Sequence, residues 1–166
     1  MWYHQGMKHD AEIEQLWNDY MQSHPYLQEQ RYYEAFRFGN TEQMANELAA
    51  LVVSGVKTAT SGLLWALEQE QQPVVQVGDY SIVTNWEHRP VCIIQTTEVN
   101  IIPFKDIDAQ FAYDYGEGDR TLAWWKQDVW DYYVQECVRI GRQATPEMPL
   151  VCERFQVVYS TSYRHP

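Results

Sequence analysis

The residues most able to do chemistry lie in one short stretch, residues 57–62 (KTATSG), which holds one amine and three hydroxyls. An alcohol is a weak nucleophile unless a neighbouring base takes its proton, so Lys57 could activate Thr60 if the two side chains meet. An exposed lysine has a pKa of about 10.4, so this role requires a desolvated amine. Alternatively, Lys57 stays charged and anchors a carbonyl or phosphate oxygen. The stretch leaves both roles open.

A carboxylate is the third group that this chemistry needs, and Glu117 is the candidate. It lies in a loop, residues 116–120 (GEGDR), in which two glycines give the backbone freedom around it. Glu117 could shuttle a proton or orient an attacking water. Equally, it could only favour the N-terminus of the following helix electrostatically. For Asp119, capping that helix is the better interpretation.

Charge limits the partners that this chain can have. The 166 residues carry a formal net charge of −11, and no basic run is present. Binding a long phosphate backbone depends on neutralising several phosphates with Lys and Arg, so we expect no long duplex nucleic acid as a partner. A nucleoside or a short nucleotide brings little charge and stays possible.

Cysteine and histidine spacing argues against a metal or a redox centre. Cys92, Cys137 and Cys152 are odd in number and widely spaced, so we expect free, buried thiols in a reducing compartment. The five histidines fall at no metal-ligand spacing, and we predict neither a metal nor a cofactor. Because no long apolar run and no signal-peptide pattern is present, we expect a cytoplasmic protein without a membrane span.

Four helices are predicted from apolar periodicity and from capping signals. The first covers residues 10–24. The second begins after Asn40 as N-cap and ends at Gly55, where a left-handed glycine commonly closes a helix. A short helix follows at about 106–113, and a longer one at about 121–137.

The remaining patterns predict strands. Residues 80–84 and 91–99 read as a hairpin, and residues 150–160 as a final strand that carries Glu153 and Arg154 near one rim of the sheet. The succession of helices and strands predicts an α+β fold around a mostly antiparallel, barrel-like sheet.

Four short motifs resemble the ASCH superfamily, whose fold is PUA-like. They are GVKTAT at 55–60, VGDY at 77–80, EGDRTL at 117–122 and LVCERF at 150–155. The last two are similar to its bacterial stand-alone branch. The resemblance implies a small β-barrel with flanking helices and a cleft facing the loop before Lys57. It divides the chain into an N-terminal helical extension, 1–30, and an ASCH domain, 31–162.

The same resemblance implies two kinds of activity. Many members of the superfamily are presumed to bind RNA, and one small branch removes acetate from N(4)-acetylcytidine with a Lys, a Thr three residues on, and a Glu. Lys57 and Thr60 match the first two positions, and Glu117 matches the third more loosely. That branch keeps an Arg two residues after its Thr, where this chain has Gly62. Another residue, such as Arg120 or Arg154, would have to replace it.

We therefore expect a protein that binds RNA or a modified nucleoside in a Lys/Thr/Glu cleft. The alternatives are an amidohydrolase that deacetylates N(4)-acetylcytidine or a similar small amide, and a metal-independent ribonuclease. Trp65 or Trp86 would stack on a base, although loop tryptophans often fold back onto the sheet. The expected ligand contacts are Thr58, Ser61, Trp65, Trp86, Arg120 and Arg154.

Overall fold

The fold is a five-stranded mixed sheet that curves into a half-barrel and carries helices on its outside. The computed structural model describes residues 10–27 and 30–161. In chain order the elements are α1 (Asp10–Gln22), β1 (Glu34–Phe36), α2 (Glu42–Val53), β2 (Ala59–Leu63), α3 (Leu64–Gln69), β3 (Tyr80–Thr84), β4 (Pro90–Pro103), α4 (Ala109–Tyr115), α5 (Leu122–Arg139) and β5 (Pro149–Ser160). Single 3-10 turns cover Pro25–Leu27 and Phe104–Asp106.

The sheet has the order β1-β3-β4-β5-β2. The pair β1–β3 is parallel, and every other pair is antiparallel. This confirms the predicted α+β class and the mostly antiparallel sheet. The predicted hairpin is β3–β4, and the predicted final strand is β5, which pairs on both sides and so lies inside the sheet.

Two strands were not predicted from the sequence. Strand β1 has only three residues, and β2 (ATSGL) lacks the β-branched apolar alternation that marks a strand. Pairing with β5 nevertheless holds β2 extended along its whole length, from Ala59 opposite Arg154 to Leu63 opposite Leu150. The hydroxyl-rich stretch after Lys57 is therefore a strand inside the fold.

Both predicted helix caps are corrected by one or two residues. The N-cap of α2 is Thr41, whose hydroxyl accepts a hydrogen bond from the backbone N–H of Met44, and it is not Asn40. The N-cap of α5 is Thr121, and it is not Asp119; the Asp119 carboxylate accepts hydrogen bonds from Thr121 instead. In both places a threonine hydroxyl reaches the N3 amide, which is the bond that defines an N-cap.

Three apolar clusters fill the space between the sheet and the helices. One joins α3, α4 and α5 to β2 and β5, a second lies under α2, and a third under α1. The three cysteines are buried and free, as predicted. In the described part of the chain, no helix is both long and apolar enough to cross a bilayer. Residues 1–9 and 28–29 of the predicted N-terminal extension, and residue 162 of the predicted ASCH domain, lie outside the described residues.

Candidate functional site

Lys57 lies in the short connection between α2 and β2, and its side chain points into the fold. Gly55 takes the left-handed conformation that ends α2, with a φ of 74°. The backbone N–H groups of Val56 and Lys57 then both donate to the carbonyl of Leu51. This turn sends the Lys57 side chain inward, where it is completely buried.

The amine of Lys57 has three acceptors around it. Nζ lies 3.0 Å from the carbonyl oxygen of Ala59, 3.1 Å from that of Tyr115 and 2.7 Å from Oε1 of Glu117. It also lies 3.7 Å from the ring centroid of Tyr115 and 5.0 Å from that of Phe38. Three acceptors and two aromatic faces suit an ammonium with three hydrogens, because a neutral amine has only two to donate.

Burial and charge act on Lys57 in opposite directions. Burial lowers its pKa from the ordinary value of 10.5, while the neighbouring Glu117 raises it by charge and by hydrogen bonding, and Glu153 adds to that effect. Burial is the largest of these effects, so the pKa of Lys57 lies below that of an exposed lysine. The three acceptors suit the ammonium form, so the geometry favours a buried cation that holds oxygen atoms, the second of the two roles that the sequence left open.

Glu117 is brought to Lys57 by a direct contact between two backbones. Gly116 ends α4 with a φ of 76°, and a Cβ atom at this position would lie 2.5 Å from the carbonyl oxygen of Val56 and 2.6 Å from Cα of Lys57. Only a glycine allows this approach. The backbone N–H of Thr58 then donates to the carbonyl of Asp114, which fixes the loop against the start of β2.

Thr60 is buried but does not hydrogen-bond to Lys57. Its side chain is fully inaccessible, and its hydroxyl lies near the phenol of Tyr115 without forming a hydrogen bond of standard geometry. In the β2–β5 ladder Thr60 lies opposite Glu153. The structure thus brings Lys57 and Glu117 together and leaves the Thr60 hydroxyl without a base bonded to it.

The other two hydroxyls of the stretch are already bonded inside the protein. Ser61 is fully buried and accepts a 2.7 Å hydrogen bond from the phenol of Tyr133. The Thr58 hydroxyl donates to the carbonyl of Asp114 at 3.3 Å. These contacts attach β2 to α4 and α5.

The predicted tryptophan contacts lie against arginines. The Trp86 ring, at the tip of the β3–β4 hairpin, faces the guanidinium of Arg37 at 4.1 Å from its centroid. The Trp65 ring, on α3, faces Arg142 at 4.8 Å. One face of each ring is therefore covered by a side chain of the protein itself.

Both arginines considered as replacements for the family Arg are also engaged. Arg120 covers the Tyr113 ring at 3.6 Å and donates to the Tyr113 carbonyl. Arg154 pairs with Asp114 and, at 3.5 Å, with Glu98. Their assignment as ligand contacts stays a prediction.

Two buried carboxyl groups were not recognised as a feature of the site. Glu153 was predicted near a rim, but it is only 1% exposed, because β5 is an interior strand; its Oε1 accepts a 2.6 Å hydrogen bond from Thr96. Burial raises the pKa of Glu153 to about 7, with Thr96 and Lys57 acting in the opposite direction. Burial, and then the charge of Glu153, raise the pKa of Glu34 well above 4.5.

The space beside Glu117 is small. A cavity of about 30 Å³ reaches the carboxylate, which is enough for about one water molecule. Its lining is largely aromatic and acidic: Phe38, Gly39, Met44, Leu48, Tyr115, Glu117, Asp128, Val129 and Tyr132. Sequence reasoning did not find Tyr115 and Phe38, whose rings face Lys57. Neither belongs to a recognisable motif, because their role depends on elements far apart in the chain. Within the described residues, no cluster of His, Cys, Asp and Glu could hold a metal ion.

Comparison with known proteins relates this chain to a family and to solved structures. A family model described as the ASCH domain matches residues 34–159. The ASCH domain from Lactobacillus crispatus JV V101 is 33% identical, with 95% of this chain and 99% of that chain covered and a TM-score of 0.85. Protein EF3133 from Enterococcus faecalis V583 is 29% identical, with 94% and 97% covered and a TM-score of 0.82. None of the curated proteins matches the chain significantly.

Proposed function

Because the chain belongs to the ASCH domain family, we propose that it binds a nucleobase or a short single-stranded RNA at the Lys57–Glu117 pair. The family is PUA-like and has a proposed RNA-binding role. The observation that carries the proposal is a buried ammonium whose carboxylate partner is 15% exposed and borders an aromatic cavity. A carbonyl oxygen of a base would accept from Lys57, and Glu117 would accept from a ring or exocyclic N–H.

Binding requires Glu117 to move. The cavity beside it is far smaller than a base, and the Lys57 amine already has three acceptors. The two carbonyls belong to the backbone of β2 and α4, whereas Glu117 is a side chain on a loop. The ligand oxygen therefore takes the place of the Glu117 carboxylate oxygen, and the side chain turns toward the base edge.

The acidic balance favours a small ligand over a polymer. At a net charge of −11, each phosphate of an approaching strand is repelled at long range. A free nucleoside, or one unpaired nucleotide at the end of a short strand, avoids most of this cost. Long-range repulsion thus disfavours long strands before any contact forms.

Calorimetric titration with free nucleosides and with single-stranded hexanucleotides tests the proposal. We expect saturable binding by the parent protein. The affinity of the Lys57→Met variant should be at least about tenfold lower, because one hydrogen bond to a charged group contributes about that much. Lys105→Met is the matched control, since Lys105 pairs with Glu147 at an exposed position. Equal affinities for the parent and Lys57→Met, or no binding of any nucleoside or RNA, would refute it.

One observation favours an amidohydrolase as a second candidate. The Thr60 hydroxyl forms no hydrogen bond of standard geometry in the described structure, but because it is fully buried, the side chains that cover it must move before it can meet a carbonyl carbon. Acetate release from N(4)-acetylcytidine, lost in Thr60→Val and retained in Ser61→Ala, would establish it. If the protein binds its ligand but neither releases acetate nor cleaves RNA, the result supports the binding function and not the catalytic one.

A further inference from the structure

A second, larger cavity lies beside the small cavity that reaches Glu117. Its volume is about 360 Å³, against about 30 Å³ for the small one. A cavity of this size is within the range of small-molecule sites. Tyr132 belongs to the lining of both cavities. The two spaces are therefore neighbours that meet at one aromatic side chain.

Both cavities lie between the same two segments of the chain. On α5 the lining residues recur at helical spacing, with Asp128 at the small cavity, Tyr132 at both and Glu136 at the large one. Residues four apart lie on one face of a helix, about 6 Å from each other along its axis. On the other wall, the segment through β1 contributes Phe38 to the small cavity and Tyr33 to the large one. The cavities are thus successive parts of one groove, divided at Tyr132.

Strand β2 connects the large cavity to the candidate site. Alternate residues of a strand face the same side, so Gly62, which lines the large cavity, faces the side to which Thr60 also points. Because Gly62 has no side chain, the space over this part of β2 stays open. Val151, opposite Gly62 in the ladder, and Leu67 of α3 add apolar wall. A ligand held at Lys57 therefore has space that continues along β2 toward α3.

The charges at the large cavity suit an uncharged group. Arg139 is the only basic residue among the described residues that line it. Its guanidinium already pairs with two lining carboxylates, with Nη1 2.8 Å from Glu70 and Nη2 2.9 Å from Glu136. A phosphate placed here would meet two carboxylates and a cation that is already paired, whereas sugar hydroxyls can donate hydrogen bonds to the carboxylates. The lining therefore favours a sugar without a phosphate.

We propose that the sugar of a base held at the Lys57–Glu117 pair lies in the large cavity, and that Tyr132 is the positioning residue whose ring turns aside to admit it. This inference rests on the proposed function, which places the base at Lys57. The Tyr132 side chain is only partly buried, so it can change rotamer without a movement of the helix backbone. Its contact with the Tyr133 ring, 5.1 Å away between centroids, changes as it turns. The ligand class is then a free nucleoside.

Calorimetric titration with matched ligands tests the position of the sugar. Each nucleoside is compared with its base methylated at the glycosidic nitrogen, which keeps the base edge but lacks the sugar. We expect the nucleoside to bind about tenfold more tightly, the gain from burying about 55 Å² of apolar surface. At about 1 M salt, which screens long-range repulsion, the 5′-monophosphate should still bind more weakly than the nucleoside.

The outcomes separate this inference from the proposed function. Equal affinities of the nucleoside and the methylated base, or of the nucleoside and its monophosphate at high salt, would overturn the inference and leave base binding at Lys57 standing. No binding of any of these ligands would refute both.

Substitutions at Gly62 locate the sugar. Gly62→Leu, which fills the large cavity from β2, should reduce the ratio of nucleoside affinity to methylated-base affinity from about tenfold to about one. Gly62→Ala, the matched control, should keep most of that ratio. If Gly62→Leu fails to fold, amide NMR of the parent decides: the nucleoside, but not the methylated base, should shift the signals of Leu67 and Val151, which line only the large cavity. Signals that stay unchanged at saturating nucleoside would contradict the assignment.

Substitutions at Tyr132 test the division of the groove. Tyr132→Ala removes the ring, so the association rate of the nucleoside, followed by stopped-flow tryptophan fluorescence, should increase. Tyr132→Phe, the matched control, keeps the ring and should associate at close to the parental rate. Association no faster in Tyr132→Ala than in Tyr132→Phe would overturn the role of Tyr132.

Discussion

Nζ of Lys57 lies 2.7 Å from Oε1 of Glu117, and this contact joins the connection between α2 and β2 to the loop that precedes α5. Two backbone carbonyls complete the surroundings of the ammonium. Breaking a buried ion pair from one side leaves an uncompensated charge, whereas replacing both partners with apolar groups is often neutral. Replacing one partner or both partners of this pair should therefore affect stability and ligand binding differently.

Glu117→Gln should destabilise the protein by about 3 kcal/mol, because the buried Lys57 ammonium loses its counter-charge. The double variant Lys57→Met/Glu117→Leu should recover most of that loss and bind no nucleobase. Chemical denaturation gives both free energies of unfolding. Glu147→Gln, at an exposed ion pair, should change stability by less than about 1 kcal/mol. A double variant as unstable as Glu117→Gln would show that the ion pair does not act as described.

Gly116→Ala should impair the site through the backbone. A Cβ atom there would overlap the Val56 carbonyl and Cα of Lys57, so the Glu117 loop must move away. We expect a loss of about 2–4 kcal/mol, combining left-handed strain with overpacking, together with weakened ligand binding. Gly141→Ala is the matched control: its φ is 70°, but no atom lies within 4 Å of its Cβ position, so it should lose only about 1 kcal/mol. Equal losses in the two variants would show that the Gly116 contact is unimportant.

The free energy of unfolding should fall as pH rises from about 4.5 to about 7. Burial raises the pKa of Glu153 to about 7 from an ordinary 4.5, so in this window the folded protein holds a proton that the unfolded chain releases. The difference corresponds to about 3 kcal/mol. Glu153→Gln should be more stable than the parent above pH 7 and equal to it near pH 4. The difference between the two proteins reports Glu153 together with its electrostatic effect on Glu34, and parallel pH curves would contradict this assignment.

Tyr133→Phe should lower stability by about 1–2 kcal/mol, since the buried Ser61 hydroxyl loses the phenol that donates to it. The double variant Tyr133→Phe/Ser61→Ala should regain part of this loss, because both polar groups are then absent. Thermal unfolding of the four proteins completes a double-mutant cycle. A coupling energy near zero would show that this bond does not hold β2 to α5.

The elements that were predicted correctly from the sequence are those with strong local signals. The long helices, the β3–β4 hairpin and β5 have clear periodicity, and Gly55 marked the end of α2 correctly. The caps shifted because neighbouring polar residues compete for the same orphan amide, and Thr41 reaches it where Asn40 does not. Strand β2 was missed because its extension comes from pairing with β5 and not from its own residues.

The candidate site was predictable in composition but not in arrangement. The motifs singled out Lys57, Thr60 and Glu117, yet no spacing rule states that Lys57 meets Glu117 and two carbonyls while Thr60 lies opposite Glu153. Those contacts depend on the α4–α5 loop packing against a strand far away in the chain. Long-range packing of this kind, and the burial of Glu153 that follows from it, has no local sequence signature.

The nitrogen resonance of the Lys57 side chain tests the central claim most directly. In protein labelled with ¹⁵N-lysine, we predict an Nζ signal of the ammonium form at pH 7, and a change in that signal when a nucleoside or a short single-stranded RNA saturates the protein. The exposed Lys105 signal serves as the internal reference. A neutral amine at Lys57, or an Nζ signal unchanged at saturating ligand, would contradict the account.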